Sequence, residues 1–380
     1  MTVGVHSDIM NEQRETRPRI RVAVVFGGRN SEHAVSIMGA GSVLKALDPA
    51  VYEVIPIGIA PDGRWVLASD DQCYEIEGTK LPEVERTGAE IALPSGSGSL
   101  VALEPGDIPR RLGEVDVVFP LLHGPFGEDG TIQGLLEMAG VRYVGSGVLA
   151  SAVGMDKAFM KALLAHAGLP IGRHVVVRDR DWRRDRERVL KETEELGWPV
   201  FVKPARAGSS QGISKAHDVD ELERAIEYAR EHDPKVLVEA AIVGREVECA
   251  VLSQLDDDPP KASMPGEILV HGEHEFFDFE AKYYPEHMSL AVPADIPDEA
   301  AERLREMAVR AFEALGCEGL ARVDFFYTPD GELILNEINT LPGFTSLSVA
   351  PQLWAASGLS YPELVDHLIK LALQRPVGLR

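Results

Sequence analysis

RIRVAVVFGG, residues 19–28, is a short β-branched run closed by two glycines, the pattern of a buried strand. Asn30 or Ser31 can cap the helix that follows, and Val35, Met38, Val43, Leu44 and Leu47 recur along it at helical spacing. YEVIPIGIA (52–60) and VDVVFPLLHG (115–124) repeat the strand pattern, and a helix near 130–139 leads to a further strand, VRYVG. Strands alternating with helices predict an open, mostly parallel α/β sheet. PDG at 61–63, followed by RWVLA, predicts one hairpin within it. Residues 69–112 are rich in Gly, Ser, Pro and acids and read as a peripheral insertion.

A second unit begins near Gly147. Its helix, over 155–167, stops at Gly168, with Pro170 shortly after. WPVFVKP (198–204) is a strand entering a Gly/Ser-rich loop, and KVLVEAAI (235–242) is another strand. The segment 178–195 carries charges of both signs. A nucleic-acid patch is the sharp interpretation; a solvated helix face fits better, because acids neutralise the bases. The expected division is a mobile tail at 1–16, then units at 17–146, 147–240 and 241–380.

Composition limits the partners. The 380 residues carry 38 Lys and Arg against 61 Asp and Glu, a formal charge of −23. That balance excludes a broad nucleic-acid surface and docking on an anionic membrane. Hydrophobic residues at 45 % against 26 % charged place the chain among globular proteins, not disordered ones. Cys73, Cys249 and Cys317 form no CxxC pair, which argues against a disulfide framework and a structural zinc site. No signal-peptide pattern opens the sequence, and no apolar run approaches the ~20 residues that span a bilayer. A cytoplasmic location is expected.

The chemistry concentrates in LARVDFFYTPDGELILNEIN (320–339), two strands around the turn signal TPDG. With Thr328 facing Gly331, Arg322 falls opposite Glu337 and Asp324 opposite Leu335. Side chains alternate, so Arg322, Asp324, Glu337 and Asn339 share one face. Asp324 and Glu337 become diagonal neighbours about 7–8 Å apart. Two acids and an amide among apolar strand residues suit a hard divalent cation, which removes their repulsion. An exposed hairpin face with one Arg–Glu pair fits the spacing equally well. FVKPARAGSSQGIS (201–214) can cradle phosphate on loop N–H groups beside Lys203, although it is no Walker A loop and taken alone suits a surface loop better. LLHGPFGEDGTIQG (121–134) places His123 and acids at the carboxyl edge of the sheet. In GGRNSEHAVS (27–36), Glu32 suits either a cationic ligand or a helix start.

GGRNSEHAVS, HGPFGEDGTIQG, VGSGVLASAVGMDK, VKPARAGSSQG, FDFEAKY, ARVDF and NEINTLPGFTSLS occur in the order found in D-alanine–D-alanine ligases, and the chain resembles that family from about residue 20 onward. The resemblance implies a three-domain ATP-grasp fold with an N-terminal Rossmann-like parallel-sheet domain. It implies ATP and two Mg2+ ions, with Mn2+ as a substitute and K+ as a further candidate ion. It also implies a homodimer acting on D-alanine. Asp324, Glu337 and Asn339 match metal ligands, with Glu337 between two ions. Lys157 and Lys203 match phosphate-binding lysines. Glu239, Glu246, Asn336 and the backbone of Ala241 and Ile242 match the nucleotide site. Arg322 and the Gly343 backbone match the oxyanion site. Glu32 and His123 match the first D-alanine site, and Ser348 a hydroxyl for the second carboxylate.

Residues 270–288 match a mobile lid whose Lys282 reaches the transferred phosphate. Glu32, Ser209 and Tyr283 match a triad joining the N-terminal unit, the glycine-rich loop and the lid. Tyr283, Ser209 and a substrate phosphate oxygen are candidate bases for the second amine. Two positions depart from the family pattern: Ala240 replaces an adenine-flanking Lys found in some members, and Ala207 a common acid. The implied product is D-alanyl-D-alanine, made through D-alanyl phosphate. The alternatives are D-lactate or D-serine as second substrate, which Tyr283 disfavours, and a non-catalytic ATP-binding sensor. The sensor predicts loss of groups used only in chemistry, yet Arg322, Lys282 and the metal positions are all present.

Overall fold

The computed structural model describes residues 19–378 except 70, 77, 79, 87, 94–97, 105–109, 209–210 and 272–287. The expected tail at 1–16 and nearly all of the expected lid lie outside the described residues. Among the described residues the backbone forms three sheets. The first comprises β1 (Ile20–Gly27), β2 (Tyr52–Ile59), β3 (Trp65–Leu67), β4 (Glu90–Ala92), β5 (Ser99–Leu103), β6 (Arg110–Glu114) and β7 (Val117–Pro120), in the order β6-β5-β4-β3-β2-β1-β7. β1 pairs parallel with β2 and β7, while every pair from β2 to β6 is antiparallel. The sheet is thus less parallel than the strand–helix alternation predicts. The cause is the connections. The Ala60 N–H donates to Arg64 O at 2.9 Å, so the predicted PDG hairpin turns the chain straight back. Short links without a crossover helix give antiparallel neighbours.

Residues 69–112 lie at the edge of this sheet, as their composition suggests, but they are part of it. They supply β4, β5 and most of β6, and send Val84, 1 % exposed, into the core. VRYVG shrinks to one parallel bridge, Val118 to Tyr143. The helices α1 (His33–Ala46) and α2 (Thr131–Ala139) flank this sheet, whereas α3 (Val148–Met155) and α4 (Lys157–His166) send Ala150, Met160 and Leu164 into a core shared with Val323 and Leu335. Asp156 separates α3 from α4. Its carboxylate accepts the Ala158 and Phe159 N–H groups and caps α4.

The second sheet holds β8 (His174–Arg178), β9 (Val200–Pro204), β10 (Ser214–Ala216) and β11 (Lys235–Ala240), all antiparallel, in the order β10-β9-β11-β8. With it go α5 (Asp179–Arg184), α6 (Arg186–Glu194) and α7 (Val219–His232). The charge-rich segment forms α5 and α6, which bury Trp182 and Val189 and engage their charges in surface ion pairs. The third sheet holds β12 (Arg245–Leu252), β13 (Lys261–Ala262), β14 (Gly266–Val270), β15 (Met288–Ala291), β16 (Leu320–Tyr327) and β17 (Leu333–Asn339). Its order is β15-β14-β12-β16-β17, with β13 beside β12 and β17 at the edge. α8 (Asp298–Leu315), α9 (Val349–Ala356) and α10 (Tyr361–Gln374) complete the chain.

α9 and α10 return to the first sheet. Leu353, Leu364 and Leu368 share one core with Val22, Phe26 and Val43. Each such side chain, fully buried, contributes about 1.5–3 kcal/mol. The Tyr52 hydroxyl donates to Asp366 Oδ1 at 2.6 Å across the same contact. This packing sets the carboxyl ends of β1 and β7 against the loop after β17. Among the described residues, no helix is long and apolar enough to cross a membrane.

Candidate active site

Register decides the chemistry of the β16–β17 hairpin. Tyr327 faces Leu333 and Phe325 faces Leu335, yet Asp324 faces Glu337 and Arg322 faces Asn339. Asn336 is the extra residue, a bulge. The register expected from TPDG is therefore corrected: the two carboxylates are direct partners, not diagonal ones. The turn closes from Thr328 to Glu332, with the Thr328 N–H donating to Glu332 O at 2.9 Å. Continued without a break, that register would place Glu337 and Asn339 on the opposite face from Asp324. A one-residue slip flips every side chain, and the bulge supplies the slip that turns them back. The sharing of one face by Arg322, Asp324, Glu337 and Asn339 stands, and the bulge creates it.

These four residues line a cavity of about 780 Å³. The Arg322 guanidinium forks onto Asp324, Nε to Oδ1 and Nη2 to Oδ2, both at 2.7 Å. Its Nε also lies 2.8 Å from Glu248 Oε2, a carboxylate 3 % exposed on β12. Burial alone would favour loss of the Arg322 proton, but Asp324 and Glu248 outweigh it and hold the charge firmly. Asn339 Nδ2 donates to Asp324 Oδ2 at 3.0 Å. Lys157, the first residue of α4, lies 3.4 Å from Glu337 Oε2 and donates to Ala207 O at 3.0 Å. The oxygen donors fit a divalent cation. Among the described residues, no group of three or more His, Cys, Asp and Glu gathers tightly enough to hold an ion unaided. Mg2+ is usually held by one or two carboxylates with substrate phosphates completing the shell, and this set matches that pattern.

Lys203 faces Leu237 on β11, so Glu239, two residues on, shares its face. Lys203 Nζ pairs with Glu239 Oε2, and Lys161 Nζ lies 2.7 Å from Oε1. Burial works against the Glu239 charge, but the two lysines overcome it and pull the carboxyl down to about 2. Glu239 is therefore the centre of a lysine cluster. Ala240, Ile242, Glu246 and Asn336 also line the cavity. The Ala241 N–H is engaged by Pro199 O at 3.1 Å.

At the other end of the cavity, Glu32 precedes α1 and is 8 % exposed. A Cβ on Gly124 would come within 2.8 Å of its carboxylate, and one on Gly208 within 3.2 Å, so both glycines admit it by lacking side chains. His123 Nδ1 meets Leu341 O at 3.1 Å. Burial lowers the His123 pKa and Glu32 opposes this only in part. A neutral ring donating from Nδ1 leaves Nε2 as an acceptor. Among the described residues, Nε2 of this cavity-lining side chain is buried without a hydrogen-bond partner. Gly343 and Ser348 line the same end, and Ser348 Oγ accepts the Thr345 N–H at 3.0 Å. Ser209, Lys282 and Tyr283 lie outside the described residues.

Glu128, one of the acids in LLHGPFGEDGTIQG to which the sequence gives no individual role, is partly buried and feels the charge of Glu32. It accepts the Gly124 N–H at 2.6 Å. Burial and then the Glu32 charge raise it to about 8, against the pull of backbone N–H groups and Lys157. The folded chain then keeps a proton that the unfolded chain releases between pH 4.5 and 8. This group's contribution to stability therefore falls as pH rises through that window. Glu128→Gln is expected to flatten the slope, read by denaturant unfolding at several pH values. An unchanged slope would contradict the assignment.

Converging lysines on one wall face carboxylates with an arginine on the opposite hairpin, between two antiparallel sheets, an arrangement that fits the three-sheet ATP-grasp fold. Family models described as D-ala D-ala ligase N-terminus and C-terminus match residues 21–146 and 163–370. The chain belongs to the D-alanine–D-alanine ligase family. It is 58 % identical over 380 residues to the D-alanine–D-alanine ligase of Pseudarthrobacter chlorophenolicus, covering 99 % of this chain and 100 % of that one. Among solved structures, the D-alanine–D-alanine ligase of Coxiella burnetii superposes with a TM-score of 0.79 at 34 % identity, covering 94 % of each chain. The VanG D-Ala:D-Ser ligase of Enterococcus faecalis superposes at 0.78 with 37 % identity, covering 93 % of this chain and 99 % of that one.

Proposed function

We propose that this cavity joins two D-alanines into D-alanyl-D-alanine, a peptidoglycan precursor, while ATP is cleaved to ADP and phosphate. One observation carries the proposal. Lys157 and Lys203, the Asp324–Glu337–Asn339 face with Arg322, and Glu32 with His123 all open on one cavity. Family membership and the 58 % identity support the same chemistry.

Glu32 binds the ammonium of the first D-alanine, with the acceptor Nε2 of His123 beside it. The carboxylate of that D-alanine attacks the γ-phosphorus, ADP leaves, and D-alanyl phosphate forms. Lys157 and Lys203 hold the phosphates, and Lys282, which matches the family's lysine for the transferred phosphate, assists them. Asp324, Glu337 and Asn339 would hold Mg2+ or Mn2+, which offsets charge on the phosphates when bound. The second D-alanine, its carboxylate on Ser348, passes its ammonium proton to a base among Tyr283, Ser209 and a phosphate oxygen, and its amine attacks the acyl carbon. Arg322 and the Gly343 N–H stabilise the oxyanion, and phosphate leaves. Glu246 and the backbone near Ile242 serve the nucleoside. The enzyme acts in the cytoplasm as a homodimer.

A second choice, D-serine as acceptor, is favoured by the likeness to VanG. The higher identity to D-alanine–D-alanine ligases weighs for D-alanine. Phosphate release with ATP, Mg2+ and D-alanine alone separates them. Full turnover is expected without D-serine or D-lactate, and near silence until one of these is added would overturn the assignment.

A further inference from the structure

Lys161 lies one helical turn beyond Lys157 on α4 and is 1 % exposed. A buried ammonium costs several kcal/mol unless it is well partnered. Its partners come from two other elements around the cavity. Nζ is 2.7 Å from Glu239 Oε1 on β11 and donates to the main-chain O of Asn336 on β17 at 3.0 Å. Asn336 is the bulged residue that turns Glu337 and Asn339 toward Asp324. A bulge interrupts the ladder, and among the described residues β17 is an edge strand with no further strand beyond it. α4 and the chain beyond it stand in for that strand. The Ile338 N–H meets Met160 Sδ at 3.4 Å, and the Leu335 N–H donates to Pro170 O at 2.8 Å. The other oxygen of Glu239 pairs with Lys203.

We propose that Lys161 is the positioning residue of this site: its ammonium fixes the Asn336 bulge, and so aims Glu337 and Asn339 into the cavity in register with Lys157 and Lys203. It touches no reacting atom, and the inference rests on the nucleotide and metal chemistry proposed above. The signal in the sequence is the four-residue spacing in MDKAFMK (155–161), which puts both lysines on one helix face.

A purely structural ion pair would lower the melting temperature and leave the metal affinity of the folded protein unchanged. The test is a Mn2+ titration of the full-length protein with ADP, following the electron paramagnetic resonance signal of free Mn2+. Lys161→Met removes the charge and keeps the stem. It is expected to weaken Mn2+ binding about 10–100-fold, the scale for loss of a group that orients metal ligands. Lys161→Gln retains a donor for the Asn336 carbonyl and is expected to recover part of the loss. The KM for the first D-alanine should stay unchanged in both. Folded Lys161→Met protein with wild-type Mn2+ affinity would overturn the proposal. If that variant does not fold, the Gln variant decides by the same criterion. Wild-type protein that takes up no Mn2+ with ADP would instead overturn the underlying metal chemistry.

Discussion

Arg322→Ala is expected to lower product formation at least ~10²-fold while ATP binding survives, the scale for loss of one oxyanion donor. The guanidinium is fixed before any substrate arrives. Asp324 takes both of its near N–H groups at 2.7 Å, and Glu248 sits 2.8 Å from Nε. Such preorganisation is what makes a cation effective against charge that develops only in the transition state. Alanine also takes the Arg322 charge away from the buried Glu248, and breaking a buried pair costs about 3–5 kcal/mol. Arg322→Lys separates the two effects. It keeps a charge for Glu248 and loses the planar fork, so stability should largely return while the rate does not. Steady-state ADP formation paired with equilibrium ATP binding reads both. Unchanged turnover in Arg322→Ala would remove this residue from the reaction.

Glu337→Gln is expected to be as damaging. Charge neutralisation by a metal is worth several kcal/mol, so its loss corresponds to roughly 10²–10⁴ in rate. The amide keeps the size of the side chain and loses the charge. It also leaves Lys157, 3.4 Å from Glu337 Oε2, without that counter-charge. Weakened Mn2+ uptake by the ADP complex should accompany the loss of turnover. Wild-type turnover at ordinary Mg2+ would contradict the placement of Glu337 at the metal.

The path from β1 to β3 was legible because it rests on local signals: a buried strand, a capped helix and a PDG turn. The return of α9 and α10 onto the first sheet was not. Their periodicity says that one face is apolar, not which sheet covers it. At the hairpin, the shared face was legible and the pairing was not. Slipping the pairing by two residues preserves the face, so the expected register and the observed one agree on Arg322, Asp324, Glu337 and Asn339. Nothing in LILNEIN announces a bulge at Asn336. Glu248 could have been found from the alternation in REVE (245–248), which sets it on the face of Glu246. Glu239 shows a different limit. The family resemblance alone implied a nucleotide contact there, and only three-dimensional packing reveals two lysines closing on its carboxylate.

On the proposed chemistry, this cavity makes an acyl phosphate from D-alanine and ATP. The most direct measurement uses D-alanine labelled with ¹⁸O in both carboxylate oxygens, incubated with ATP, Mg2+ and the protein. Attack of that carboxylate on the γ-phosphorus places one labelled oxygen in the bridge, and the bridge leaves with phosphate. One ¹⁸O is expected in each released phosphate and one retained in the new peptide bond, by mass spectrometry. Unlabelled phosphate, released with or without dipeptide, would contradict it.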